Sequence, residues 1–299
     1  MCPKLVVQSS KTDERSVFMK KGLILEGGAM RGMFSCGVID TMMESGIGFD
    51  GAVGVSAGAA FGVNYKSGQV GRALRYNMKF CHDHRYCGMR SLITSGDLYN
   101  RDFCYREVPL KHDPFDFEAY RANPMDFYVV CTDIETGRAV YKKYEGLEEE
   151  GFDWIRASAS MPLVSNIVEI DGMKLLDGGI ADSIPVQFME DAGYDRNVVV
   201  LTQPRNYVKK KNEMLPLLKM RYRKYPKLIE AMENRHRVYN ETLARITRLE
   251  RCGRLFVIRP DEKLPVDRVE KKPENLKQAY DIGCGIAQER MEDLKRYLG

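Results

Sequence analysis

Between residues 21 and 68 the chain states one hydrophobic pattern twice. "KGLILEGGAMRG" (21–32) is a short apolar run that ends in glycines, and "MFSCGVIDTMMESG" follows with apolar positions at helical spacing. "FDGAVGVSAGAAFGVNYKSG" (49–68) repeats the sequence of events, which predicts a strand up to about Val55 and a helix from about Ala57. Short apolar runs bounded by turn formers read as buried strands, and apolar positions three and four apart read as helices. Further strand-like runs are "MDFYVVCTDIETG" (125–137), "AVYKKYE" (139–145), "RNVVVLTQP" (196–204) and "GRLFVIRP" (253–260). "IVEIDGMKLLDGG" (167–179) reads as a hairpin that turns at Asp171-Gly172. Buried strands alternating with helices predict an α/β fold, a three-layer α/β/α arrangement around a mostly parallel central sheet.

From about 213 to 251 the pattern is helical, interrupted at Pro226. The chain then returns to a strand at 253–259 and finishes with "NLKQAYDIGCGIAQERMEDLKRYL", another helical stretch. That return predicts one domain over residues 1–299 rather than two. Its core covers about 21–204, a basic helical excursion about 206–251, and a returning strand and terminal helix 253–299.

Charge sharpens this division. The net formal charge is only +4, yet residues 205–254 carry 15 Lys and Arg against 5 Asp and Glu. The segment is thus locally +10 and the remainder −6. Such a cluster suggests either a solvated helical face or a surface for an anionic partner, and the overall charge is too small to imply nucleic acid. The eight cysteines (2, 36, 81, 87, 104, 131, 252 and 284) form no CxxC pair, which fits reduced thiols in a cytosolic chain. Residues 1–21 lack the apolar stretch of a secretory signal, and no apolar run reaches the length of about 18 residues expected of a membrane helix. The expected location is cytoplasmic, with room for peripheral contact at a membrane.

Candidate chemistry gathers at the predicted strand ends. Gly54-Val55-Ser56-Ala57-Gly58 fits G-x-S-x-G where a strand hands over to a helix, the setting of a nucleophile elbow. Alone, the five residues are also an ordinary glycine-rich loop. "EGGAMRG" (26–32) offers backbone N–H groups on a glycine turn ahead of a helix, suited to a developing negative charge, with Arg31 beside them. Phosphate-loop readings fit this turn poorly: a dinucleotide fingerprint needs glycine where Ala29 stands, and a P-loop needs lysine where Met33 stands.

A base is harder to find. The four histidines are 82, 84, 112 and 236, and only His236 follows late enough in the chain for a Ser–acid–His order. It lies in an arginine-rich helical pattern, where a solvated histidine is the plainer reading. His82 and His84, with Cys81 and Cys87, do not have the spacing of a zinc site. In "LLDGGIADSIPV" (175–186), by contrast, an apolar strand delivers Asp177 into Gly178-Gly179. As a plain Asp-Gly turn it would be structural. Beside a serine elbow it becomes a candidate sole base, provided burial raises its pKa from the ordinary value of about 3.9.

These three motifs, in this order, resemble the patatin-like phospholipase family. The family pattern is G-G-G-x-[KR]-G, then G-x-S-x-G, then D-G-[GA]. Here they stand as Gly27-Gly28-Ala29-Met30-Arg31-Gly32, Gly54-Val55-Ser56-Ala57-Gly58 and Asp177-Gly178-Gly179. The resemblance runs over about 22–204, including "YVVCTDIETG" and "RASASMPLVSN", and the last third is similar to the helical tail of bacterial members. It implies a Ser56–Asp177 dyad without histidine, cleaving lipid acyl esters. Backbone N–H groups around Gly27, Gly28 and Ala29 would form the oxyanion site, with Arg31 supporting the loop. Gly32, Gly54, Gly58, Gly178 and Gly179 would shape the motifs. One departure is Ala29, where the family has glycine: at a positive φ it would cost about 1 kcal/mol or more.

No cofactor is implied, and no carboxylate cluster at calcium-ligand spacing is visible. The expected partner is a lipid or acyl-ester substrate, with peripheral contact to anionic membrane through 205–254. The alternative is a membrane-associated lipid-binding protein whose hydrolase site is vestigial, motivated by Ala29 and by the basic segment.

Overall fold

The computed structural model describes residues 19–146 and 152–299, so most of the polar leader and residues 147–151 lie outside the described residues. β1 (Lys21–Leu25), β2 (Gly51–Val55) and β3 (Asp126–Asp133) are the first three strands of the sheet. β4 (Ala139–Lys143), β5 (Val168–Ile170), β6 (Met173–Asp177), β7 (Arg196–Val200) and β8 (Leu255–Ile258) complete it. The spatial order is β5-β6-β3-β2-β1-β7-β8, with β4 also paired to β3. β3, β2, β1, β7 and β8 run parallel, whereas β4 and β6 pair antiparallel with β3 and β5 pairs antiparallel with β6. The hairpin at Asp171-Gly172 forms with φ of 51° and 75° at its two central residues, the left-handed pair that matches strand twist.

Side chains along the central strands alternate between two cores, which is why these runs are apolar throughout. Leu23, Leu25, Ala52, Val129, Val198 and Phe256 face one core, and Ile24, Val53, Val130, Val199 and Val257 face the other. The first core is covered by α1 (Gly32–Glu44), α2 (Ala57–Lys66) and α3 (Arg72–Phe80). Farther along the chain come α4 (Met89–Ser95), a π-wound stretch Phe103–His112, α5 (Phe117–Ala122) and α6 (Asp153–Ser158), which extend that layer. The second core is covered by α7 (Val186–Asp191) and later by α9 (Pro226–Arg251), a 26-residue helix preceded by the short α8 (Leu215–Arg221). Pro226 starts α9 rather than breaking it, because proline at the first turn forfeits no helical hydrogen bond.

After α9 the chain adds β8 beside β7 and returns to the first layer as α10 (Pro273–Glu289) and α11 (Met291–Leu298). The terminal helical stretch is thus two helices, divided at Arg290. α10 lies along α1, where the Tyr280 hydroxyl donates to Asp40 Oδ2 at 2.9 Å. No described helix is long and apolar enough to cross a membrane.

Candidate active site

Two strand ends meet on one edge of β3. β2 pairs with β3 through Val55↔Val130, and β6 pairs with β3 beginning at Asp177↔Cys131. β4 occupies the other edge of β3 across Tyr128–Thr132, so β2 and β6 must share a single edge. They run toward one another along it and stop on adjacent β3 residues. Ser56 and Asp177, 121 positions apart in sequence, therefore face each other across the gap between two strand ends.

Ser56 takes φ 55° and ψ −121°, outside the ordinary regions for an L-residue, a strain of about 1–3 kcal/mol held by its surroundings. Its N–H donates to Ser158 Oγ at 2.8 Å, and that hydroxyl donates to the Val130 carbonyl at 2.6 Å. The turn also needs close backbone approach. A Cβ at Gly58 would sit 2.3 Å from the Leu25 carbonyl oxygen, and one at Gly54 would sit 2.5 Å from Ala59 Cα. Those two glycines let α2 begin directly beneath the serine.

Ser56 lies close enough to the Asp177 carboxylate for its side chain to favour the charged form. Asp177 is buried, and its Oδ1 also accepts the Gly179 N–H at 2.8 Å. Its own N–H donates to the Ser160 carbonyl and its carbonyl accepts Thr132 Oγ1, which fixes the strand end. Burial raises the carboxyl's pKa above the ordinary range, opposed first by the charge of Arg235 and then by Ser56 and the Gly179 hydrogen bond. A raised carboxylate is a stronger base toward a hydroxyl than an exposed one.

The glycine turn lies beside Ser56: a Cβ at Gly27 would meet Ser56 Cβ at 2.8 Å. The Arg31 N–H closes the turn on the Gly28 carbonyl at 3.2 Å. Among the described residues, no acceptor takes the N–H of Gly28 or Ala29. Ala29 has φ 50°, so the alanine does occupy a left-handed conformation and carries about 1–2 kcal/mol of strain there. The Arg31 side chain leans toward Gly28, but its buried Nε has no partner among the described residues.

A cavity opens from Ser56 into the first layer, with about 800 Å³ of empty space including its mouth. Its walls are largely apolar and aromatic, among them Val63, Tyr76, Tyr99, Tyr105, Phe152 and Met161. Arg72 also lines it, but its guanidinium is spent on Asn64 Oδ1 at 2.9 Å and the Asp113 carbonyl at 2.6 Å. An apolar chain fits such walls, and Ser56 is among the residues that line them.

The opposite layer contributes residues that no motif announces. Tyr239 of α9 donates to Glu26 Oε1 at 2.5 Å, immediately before the glycine turn, while Glu26 Oε2 accepts the Thr202 N–H at 2.6 Å. One helical turn earlier, Arg235 Nε donates to the Gly179 carbonyl. One face of α9 thus holds the loops of two motifs at once. His236, on the same helix, bonds through Nδ1 to the Glu233 carbonyl at 3.0 Å, and no hydrogen bond among the described residues links it to Ser56 or Asp177. His82 and His84 are exposed in the loop after α3.

A family model described as "Patatin-like phospholipase" matches residues 23–189. That is more than half of the chain, which therefore belongs to the patatin-like phospholipase family. A second, described as "Domain of unknown function (DUF6363)", matches residues 225–299 and so takes in all of α9. Among curated relatives, the uncharacterized protein YjjU of Escherichia coli is 29% identical over 192 residues, covering 61% of this chain and 52% of that protein. Lysophospholipase nte1 of Aspergillus niger is 30% identical over 187 residues, covering 58% of this chain and 11% of that protein. The chain thus matches about half the length of the first and about a ninth of the second. The crystal structure of VipD from Legionella pneumophila aligns with a TM-score of 0.47 at 13% identity, covering 92% of this chain and 67% of that one.

Proposed function

We propose that the protein is a lipid acyl hydrolase in which Ser56 is the nucleophile and Asp177 the base. The observation that carries this reading is a serine in a strained turn, lining a largely apolar cavity and set beside the buried Asp177 carboxylate across two strand ends. Ser56 Oγ attacks the ester carbonyl carbon while its proton passes to Asp177. The carbonyl oxygen becomes an oxyanion that the Gly28 and Ala29 N–H groups receive. The tetrahedral centre collapses, the C–O bond to the alcohol breaks, and Asp177 returns its proton to that leaving oxygen. Water then attacks the acyl-serine, Asp177 takes the water's proton, and fatty acid departs as Ser56 regains its hydrogen. No histidine is needed, because Asp177 holds the proton at each stage.

The same reading treats residues 1–299 as one hydrolase domain, with α8 and α9 reaching anionic membrane at its edge. Met214, Leu217 and Met220 are exposed on and beside α8 among Lys219, Arg221 and Arg223, a composition suited to an interface. A second reading, a lipid-binding protein with a vestigial site, is favoured by one observation, the strained Ala29 in the oxyanion turn. Incubation with mixed lipid extract separates the two. Wild type is expected to release fatty acid and lysolipid, identified by mass, and Ser56→Ala to release neither. No product from either, with vesicle binding retained, argues for the second reading, and equal product from both removes Ser56 from the chemistry.

A further inference from the structure

The basic segment is not uniformly a solvated face. Several of its cations are paired with carboxylates: Arg205 with Glu250, Arg245 and Arg254 with Glu190, Arg237 with Glu241. Lys209 and Arg235 behave differently. Arg235, together with Arg31 and Arg268 from outside the segment, acts electrostatically on Lys209, and none of the four has a carboxylate ion pair among the described residues. Lys209 is held in place by α9: its N–H donates to Asn240 Oδ1 at 2.9 Å and its carbonyl accepts Asn240 Nδ2 at 3.0 Å. Its ammonium lies 4.1 Å from the centroid of the Tyr239 ring. Arg235 Nε donates to the Gly179 carbonyl, two residues past Asp177, and Asp177 feels the charges of both Arg235 and Lys209. Glu26 also faces Lys209, but Thr202 and Tyr239 already occupy its oxygens. Partly buried cations set close together repel one another unless an anion joins them.

We propose that the C-terminal segment completes an anion site next to Ser56, in which Lys209 and Arg235, with Arg31 across the glycine turn, hold a phosphate group. Two guanidinium forks and one ammonium suit a phosphate, whose several oxygens accept from more than one cation at once. Arg268 is exposed at the rim and adds to the field. The phosphate is either part of the acyl ester, as a headgroup, or free in solution. The headgroup form rests on the hydrolase reading, whereas phosphate binding itself does not.

The test uses the full chain as wild type, Lys209→Met, Lys209→Arg and Lys210→Met, the last removing an exposed neighbouring cation. Titration calorimetry with inorganic phosphate at fixed ionic strength is expected to show binding weakened about tenfold or more in Lys209→Met. Lys209→Arg is expected to recover most of it and Lys210→Met to match wild type. In parallel, kcat/KM is compared for a monomeric lysophospholipid and a monoacylglycerol of equal chain length. A fall in that ratio of about tenfold in Lys209→Met identifies the headgroup as the ligand. Weakened phosphate binding with an unmoved ratio identifies free phosphate. Wild type that does not bind phosphate, or Lys209→Met that binds it as well as Lys210→Met, overturns the site. If wild type cleaves neither ester, the hydrolase reading fails and the phosphate titration still decides the anion site.

Discussion

On one side of Ser56 the helical layer of α2, α3 and the π-wound stretch encloses an apolar cavity whose one lining guanidinium is fully engaged. On the other, α9 brings Arg235 to Gly179 and Tyr239, with Lys209 over its ring, to Glu26, in the loops that flank the serine. The first layer can lower the energy of a hydrocarbon chain and does little for charge. The second sets the field felt by Asp177 and offers nothing to a chain. A molecule that satisfies both has an apolar tail and an anionic group flanking the bond between them. The two layers also differ in how they are joined to the site: the cavity walls adjoin the serine itself, whereas α9 acts through the loops around it.

The largest expected effect falls on the element the layers share. Asp177→Asn keeps the shape of the site and removes the base, so ester turnover is expected to fall about 10²–10⁴-fold with folding retained by circular dichroism. Turnover within a few-fold of wild type would remove Asp177 from the chemistry. Next comes a change confined to the apolar layer. Ala60 lines the cavity, and Ala60→Leu fills part of it. Hydrolysis of long acyl esters is expected to fall about tenfold relative to short ones, two or so methylenes losing their place at about 0.8 kcal/mol each. An equal loss for both chain lengths would mean that the acyl group lies elsewhere.

A change confined to the polar layer is expected to move pH dependence instead. Turnover needs Asp177 ionised, so the acid limb of the kcat/KM profile follows its titration. Burial holds that titration above the ordinary carboxylate range, and Arg235 is the first influence opposing it. Arg235→Met removes the opposition, so the limb is expected to move to higher pH, while movement to lower pH contradicts the assignment. The smallest effect concerns the turn. Ala29→Gly relieves the left-handed alanine and is expected to raise stability by up to about 1 kcal/mol in urea unfolding, with turnover retained. A loss of stability would show that the alanine is not strained.

The two layers were not equally legible in the sequence. The motif-bearing strands announce themselves because each is local: an apolar run, then glycines, then Ser56 or Asp177 within a few residues. That the two residues meet follows only from β2 and β6 sharing one edge of β3, which no local pattern encodes. The residues between 67 and 124 carry no motif, yet they supply much of the cavity wall. Ser158, which braces the elbow, lies 102 positions from Ser56, and Tyr239 lies 213 from Glu26. The charge of 205–254 was plain from composition. Which of its cations turn inward depends on the face of α9, where Arg235 and Tyr239 stand one turn apart.

The most direct measurement of the central claim is reaction of the intact protein with a fluorophosphonate probe, read by mass spectrometry of the labelled peptide. Ser56 Oγ displaces fluoride at phosphorus only if it is activated, so the expected result is a single adduct on Ser56, formed far more slowly in Asp177→Asn. Folded protein that remains unlabelled, or is labelled at another residue, contradicts the Ser56–Asp177 dyad.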